Sequence, residues 1–118
     1  MTHFDAALCE HPGSSGEHRR QVVRIMDAAL DAVDPAQAVL AHLRREGDVL
    51  RVDGHDYALG RYRRVIVVGA GKAGAPMAQA VEQVLVDRIV AGAVSVKYGY
   101  TAPTSTVRLC EAGHPVPD

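Results

Sequence analysis

The strongest constraint on the fold lies between Arg64 and Val86. Arg64-Val65-Ile66-Val67-Val68 is apolar without alternation, the pattern of a strand buried on both faces of a parallel sheet. It runs directly into Gly69-Ala70-Gly71-Lys72-Ala73-Gly74, and then into a segment with Met77, Val81, Val84 and Leu85 at helical spacing. Strand, glycine turn and helix in this order form half of a β-α-β unit. Gly69 is expected to turn the chain at the strand's end, Gly71 to let backbone approach a ligand, and Gly74 to let the helix pack near the strand. The free N–H groups of the helix's first turn, aided by its dipole, favour an anion there, beside Lys72.

The flanking segments set this unit in an α/β layer. Met1–Gly16 is punctuated by His11-Pro12-Gly13-Ser14-Ser15-Gly16 and reads as a flexible leader. From Glu17 to Val33, Val22, Ile25, Met26, Ala29, Leu30 and Val33 draw one stripe of an amphipathic helix. Asp34-Pro35 resets the chain as N-cap and first helical residue, and a second helix is expected to about Glu46, with Gly47 closing it. Asp53-Gly54 between Val49–Val52 and Tyr57–Leu59 predicts a hairpin. After the helix that follows the glycine turn, Ala91–Val96 and Val107–Cys110 read as further strands. The expected class is therefore α/β: the N-terminal part of a Rossmann-like parallel-sheet domain, preceded by two helices and a β-hairpin, over residues 17–118. A sheet of about three strands leaves edges exposed and is poorly covered by these helices, so the chain reads as the first part of a larger domain.

Composition removes several function classes. With 118 residues and 47% apolar content the chain can bury one core. A net charge of −1, one Phe and no Trp argue against nucleic acid and against an anionic membrane surface. No apolar run reaches the length of a membrane span, and the first residues lack the basic start and apolar stretch of a signal peptide, so a reducing cytoplasm is the expected setting. Cys9 and Cys110 make neither a disulfide framework nor a zinc site. His18, His42 and His55 share no metal-ligand spacing, and no metal ligand is assigned. A homo-oligomer is left open.

The glycine turn admits three readings. A dinucleotide site expects an acidic residue about twenty positions on, at the end of the next strand, to hold the ribose. That strand ends in Lys97, twenty-eight positions after Gly69 and of the wrong charge for NAD, although lysine suits a 2′-phosphate and keeps NADP open. A P-loop fails because Ala73 follows Lys72 where a Ser or Thr is needed, and Ile66 stands where the first glycine should be. The third reading gives Lys72 the leading role. Lone lysines commonly lie in solvent, but this one sits at the carboxyl end of a central strand, where α/β proteins bind ligands. A Lys–anion pair at about 4 Å and an effective dielectric near 20 is worth roughly 4 kcal/mol before desolvation. Lys97 and Tyr98 also sit at a strand end facing the crevice and read more simply as a solvated strand terminus, and Arg61-Tyr62-Arg63-Arg64 as a polar lead-in to the strand.

Val67–Ala78 around the glycine turn, together with Glu111-Ala112-Gly113-His114-Pro115-Val116-Pro117-Asp118, resembles the type II glycerate kinases, the glycerate 2-kinases, some of them labelled hydroxypyruvate reductases. Ala28–Pro35 and the Tyr57–Arg64 lead-in are similar too, so the likeness runs from about Gln21 to Asp118. The resemblance implies a large Rossmann-like domain plus a smaller α/β domain, with phosphoryl transfer from ATP, helped by Mg2+, to the 2-hydroxyl of D-glycerate. It makes Lys72 the catalytic lysine, orienting the acceptor and offsetting charge on the transferring group. Gly69, Ala70, Gly71, Ala73 and Gly74 then become phosphate- or substrate-binding candidates. His114 and Asp118 join them, on a loop stiffened by Pro115 and Pro117. Gly74 stands where many relatives carry alanine. Family members are several times longer, and a catalytic arginine is expected in the part this chain lacks. A hydroxypyruvate reductase or other NAD(P)-dependent enzyme, and a non-catalytic remnant or binding module, are the alternatives. The 118-residue chain alone is expected to turn over no D-glycerate with ATP; a coupled assay for ADP release that shows turnover refutes this.

Overall fold

The structure, a computed structural model, describes residues 3–5, 7, 16–116 and 118. Most of the expected leader, Cys9 and Pro117 lie outside the described residues. The chain divides into two compact units, Met1–Asp34 and Pro35–Asp118.

The first unit is built on α1, Gly16–Ala32. Glu17 in its first turn holds Arg20 and Arg24 by ion pairs of 3.1 and 3.5 Å. His3 meets the helix at Asp27, through its backbone N–H, and at Asp31, through its ring. The predicted stripe is present, and Val22, Ile25, Met26 and Leu30 are all exposed.

The second unit opens with α2, Pro35–His42, and two three-stranded sheets follow. The expected helix to Glu46 is corrected here. Leu43–Glu46 forms strand β1, paired antiparallel with β2, Val49–Val52, in the register Leu43↔Val52 to Glu46↔Val49. Gly47, at φ 58°, makes the two-residue turn between them and caps no helix. Leu43-Arg44-Arg45-Glu46 alternates half-buried and exposed, so pairing with β2 outweighs the helical propensity of its residues. The Asp53-Gly54 hairpin to β3, His55–Ala58, is present as predicted, with φ positive at both turn residues (47° and 82°). The hairpin is thus part of a three-stranded meander.

A short 3-10 turn, Leu59–Arg61, leads to the second sheet: β4 (Val65–Ala70), α3 (Gly74–Leu85), β5 (Ile89–Lys97) and β6 (Val107–Ala112). The order β4-β5-β6 is parallel throughout, the arrangement of one half of a doubly wound sheet. α3 covers one face, burying Ala75, Ala78 and Leu85 against Val94, Val96 and Val107, with Leu59 in the same core. On the other face Ile66 and Val68 are 57% and 79% exposed. β4 reads as a central strand by composition but lies at the edge of this sheet. No described helix is long and apolar enough to cross a membrane.

Two contacts fix α3 and the sheet. Gly74 packs so close to β5 that an added Cβ would lie 2.7 Å from Val94 Cγ1 and 3.2 Å from Val96 Cγ1. Glu82 of α3 accepts three backbone N–H groups, from Ser105, Thr106 and Val107, at 2.6–2.7 Å, and Gln79 donates to the Pro103 carbonyl. The helix-free connection from β5 to β6 is thereby tied to α3. Burial pushes the Glu82 carboxyl up, but the three donors outweigh it and hold the group below the usual carboxylate range.

Gly74→Ala is expected to destabilise this chain by about 1–3 kcal/mol through overpacking against the stiff Val94, with Val94→Ala in the same chain recovering part of the loss, read by urea unfolding. Because Glu82 is lowered on folding, its contribution is fully present above the ordinary carboxylate pKa and is lost as pH falls through the lowered value. Glu82→Gln should cost about 2 kcal/mol at neutral pH and flatten the acid limb of the stability–pH curve; an unchanged limb contradicts this.

Candidate functional site

The carboxyl ends of β4, β5 and β6 lie side by side, with Ala70 opposite Ser95 and Lys97 opposite Ala112. A crevice of about 280 Å3 opens there. Its walls are Ala70, Gly71 and Lys72 after β4, Ser95–Lys97 at the end of β5, and Ala112–Pro115 at and beyond the end of β6. Of the predicted site residues the fold therefore brings Ala70, Gly71, Lys72 and His114 onto one surface. Gly69, Ala73, Gly74 and Asp118 do not line it.

The glycine turn works differently from the expectation. Gly69 is still within β4, paired with Val94, and a Cβ there would meet only ordinary contacts at 3.6 Å. The turn itself falls to Gly71, at φ 132°, a conformation that side chains oppose. Its N–H donates to the Ser95 carbonyl at 2.9 Å, and its own carbonyl accepts from Gly74 N–H at 3.0 Å. Gly74 opens α3 and Pro76, without an N–H, follows in the first turn. The helix start is thus a weaker anion cradle than the sequence suggested, and side-chain charge carries more of the burden.

That charge comes from two lysines. Lys72 stands exposed on the turn. Lys97, half-buried, lines the same crevice, and its Nζ lies 5.0 Å from the centroid of the Tyr100 ring. The solvated-terminus reading of Lys97 is therefore corrected. Its strand-end position facing the crevice is legible in the sequence, and the fold adds that Lys97 lines the crevice while Tyr98 does not. Among the described residues no carboxylate lines the crevice.

Asp118 acts from outside. Its Oδ2 accepts the Tyr98 hydroxyl at 2.7 Å and its Oδ1 accepts the Gly113 N–H at 2.6 Å. These bonds, Tyr98 first, hold its carboxyl below the usual range, and the same contact pushes the Tyr98 phenol up. Asp118 thus draws the segment carrying His114 back onto the end of β5. Cys110 is an exposed free thiol on β6.

A parallel α/β sheet with a lysine-bearing crevice at its carboxyl ends defines the class. Over residues 21–118 the chain matches the family described as a domain of unknown function (DUF4147), and it belongs to that family. The resemblance to type II glycerate kinases is borne out. The chain is 41% identical, over its whole length and 24% of the relative's, to a putative hydroxypyruvate reductase of Agrobacterium vitis. It is 34% identical to a glycerate 2-kinase of Pyrococcus horikoshii, covering 81% of this chain and 21% of that one. The crystal structure of a glycerate kinase from Thermotoga maritima superposes with a TM-score of 0.62 at 32% identity, over 88% of this chain and 22% of the other. The chain thus spans about a fifth to a quarter of the length of these relatives.

Asp118→Asn is expected to weaken both bonds and speed hydrogen exchange at the Gly113 amide severalfold at neutral pH. In the wild-type chain the same loosening appears as pH falls through the lowered Asp118 value, being absent above the ordinary aspartate pKa. Exchange indifferent to both would show that Asp118 does not hold the loop.

Proposed function

We propose that this chain forms one wall of the active site of an ATP-dependent glycerate 2-kinase, which phosphorylates the 2-hydroxyl of D-glycerate. The observation that carries this reading is Lys72 on a crevice lined, among the described residues, by no carboxylate, in a chain similar to proteins named glycerate 2-kinase and D-glycerate 2-kinase. Bound ATP supplies the phosphoryl group. Lys72 holds its oxygens and offsets charge as the bond to the leaving oxygen loosens. Gly71 lets the backbone stand close to that group, and His114 offers a ring nitrogen for hydrogen bonding to the acceptor. About 280 Å3 lies just below the usual range of ligand sites, roughly 300–1,000 Å3, and suits a small acid with one phosphoryl group more than a whole nucleotide. Among the described residues no three His, Cys, Asp or Glu side chains come together. The described walls of the crevice offer no carboxylate oxygen to Mg2+ either, and no step is assigned to a metal on these residues.

The second reading, an NAD(P)-dependent hydroxypyruvate reductase, draws on the name of the Agrobacterium vitis relative. Lys97 at the strand end, where a ribose-binding acid belongs, speaks against NAD. The two separate by NMR titration of the chain with 2-phosphoglycerate, D-glycerate and NADPH. The kinase reading expects the acid and its phosphate to shift the Gly71, Lys72 and His114 signals, with Lys72→Met weakening 2-phosphoglycerate at least about tenfold. Binding of NADPH alone, indifferent to Lys72→Met, overturns it.

A further inference from the structure

We propose that Lys97 is the second anion-holding residue of the Lys72 crevice, positioned by Tyr100, and that it takes the carboxylate of a ligand whose phosphoryl group lies at Lys72. This rests on the kinase reading above and adds a residue and a division of labour to it.

The argument starts from charge. The crevice walls include two lysines and, among the described residues, no carboxylate side chain. Two like charges on the walls of one crevice suit a ligand with two anionic groups, one for each. A singly charged ligand satisfies only one. Lys97 is also the one of the pair whose backbone is held in the sheet. It closes β5, whose pairing with β6 continues to Lys97↔Ala112, whereas Lys72 sits on a turn. Tyr100 follows the Gly99 bend, at φ 77°, and its N–H donates to the Lys97 carbonyl at 3.0 Å. That short loop folds the ring back to 5.0 Å from Nζ. A cation over an aromatic face keeps its charge and gives up rotamer freedom before the ligand arrives. Tyr100 therefore serves as a positioning residue. It does not line the crevice.

The division follows from position. Lys72 lies on the turn that Gly71 opens to close backbone approach, which suits the bulkier phosphoryl group. Lys97 stands across the crevice on the next strand, beside Ser95. The crevice then discriminates hydroxy acids from neutral polyols through Lys97 alone.

The test compares two probes by NMR titration of the 118-residue chain: 2-phosphoglycerate, with carboxylate and phosphate, and glycerol 2-phosphate, with phosphate only. Wild type should prefer 2-phosphoglycerate by about tenfold. Lys97→Met should erase that preference by weakening 2-phosphoglycerate alone, Lys97→Arg should retain most of it, and Lys72→Met should weaken both probes. Tyr100→Phe should behave as wild type and Tyr100→Leu should lose part of the preference. Far-ultraviolet circular dichroism identifies any variant that fails to fold, and the Tyr100 pair then decides the matter without Lys97→Met. An unchanged preference in Lys97→Met and Tyr100→Leu, with Lys72→Met still weakening both probes, overturns the proposal and leaves the kinase reading standing. Equal weakening of both probes by Lys97→Met overturns the carboxylate assignment. If neither probe binds the wild-type chain, the kinase reading falls and this proposal with it.

Discussion

The contact between Gly74 and the two valines of β5 underlies the rest of the second unit. With no side chain at Gly74, the first turn of α3 rests against Val94 and Val96, and Ala75 and Ala78 continue the close approach. A helix held this near a sheet leaves its preceding turn no freedom to swing away. Gly71 then sits within hydrogen-bonding distance of Ser95, and Lys72 is carried to the carboxyl ends of the strands. Loosening that contact would move the turn away from β5 and open the crevice that Lys72 and Lys97 share.

Glu82 completes the frame at the other end of the helix. Two parallel neighbours normally need a helical crossover, yet Tyr98–Thr106 contains none. A single carboxylate that accepts three backbone donors supplies what a helix would otherwise provide, namely partners for the amides of Ser105, Thr106 and Val107. The position of β6, and with it the Ala112–Pro115 wall, depends on that carboxylate remaining charged. Asp118 plays the same part on a smaller scale, tying Gly113 and Tyr98 together so that the His114 segment lies across the sheet end.

Local chemistry was legible wherever one short stretch decides it. The Asp53-Gly54 turn, the β4 strand and the α3 helix follow from two residues, from an unbroken apolar run and from one helical stripe. Leu43–Glu46 was not legible, because its residues favour a helix and only the partner strand Val49–Val52 makes them extended. The turn falls to Gly71 and not to Gly69 for a similar reason. The pattern identifies a turn but not the residue at which pairing with β5 stops, and that pairing runs on to Ala70.

By itself the sequence determined the β-α-β order, the candidate lysine of the glycine turn, and the kinship with type II glycerate kinases, since each depends on residues close together in the chain or on motifs in a fixed order. The tertiary structure alone decided that Lys97 and not Tyr98 lines the crevice with Lys72, that Asp118 supports it from outside, and that among the described residues no carboxylate lines it. The reason is physical. Strand pairing and helix packing bring together residues far apart in sequence, and the charge in a crevice is a sum over all its walls, which no single segment carries.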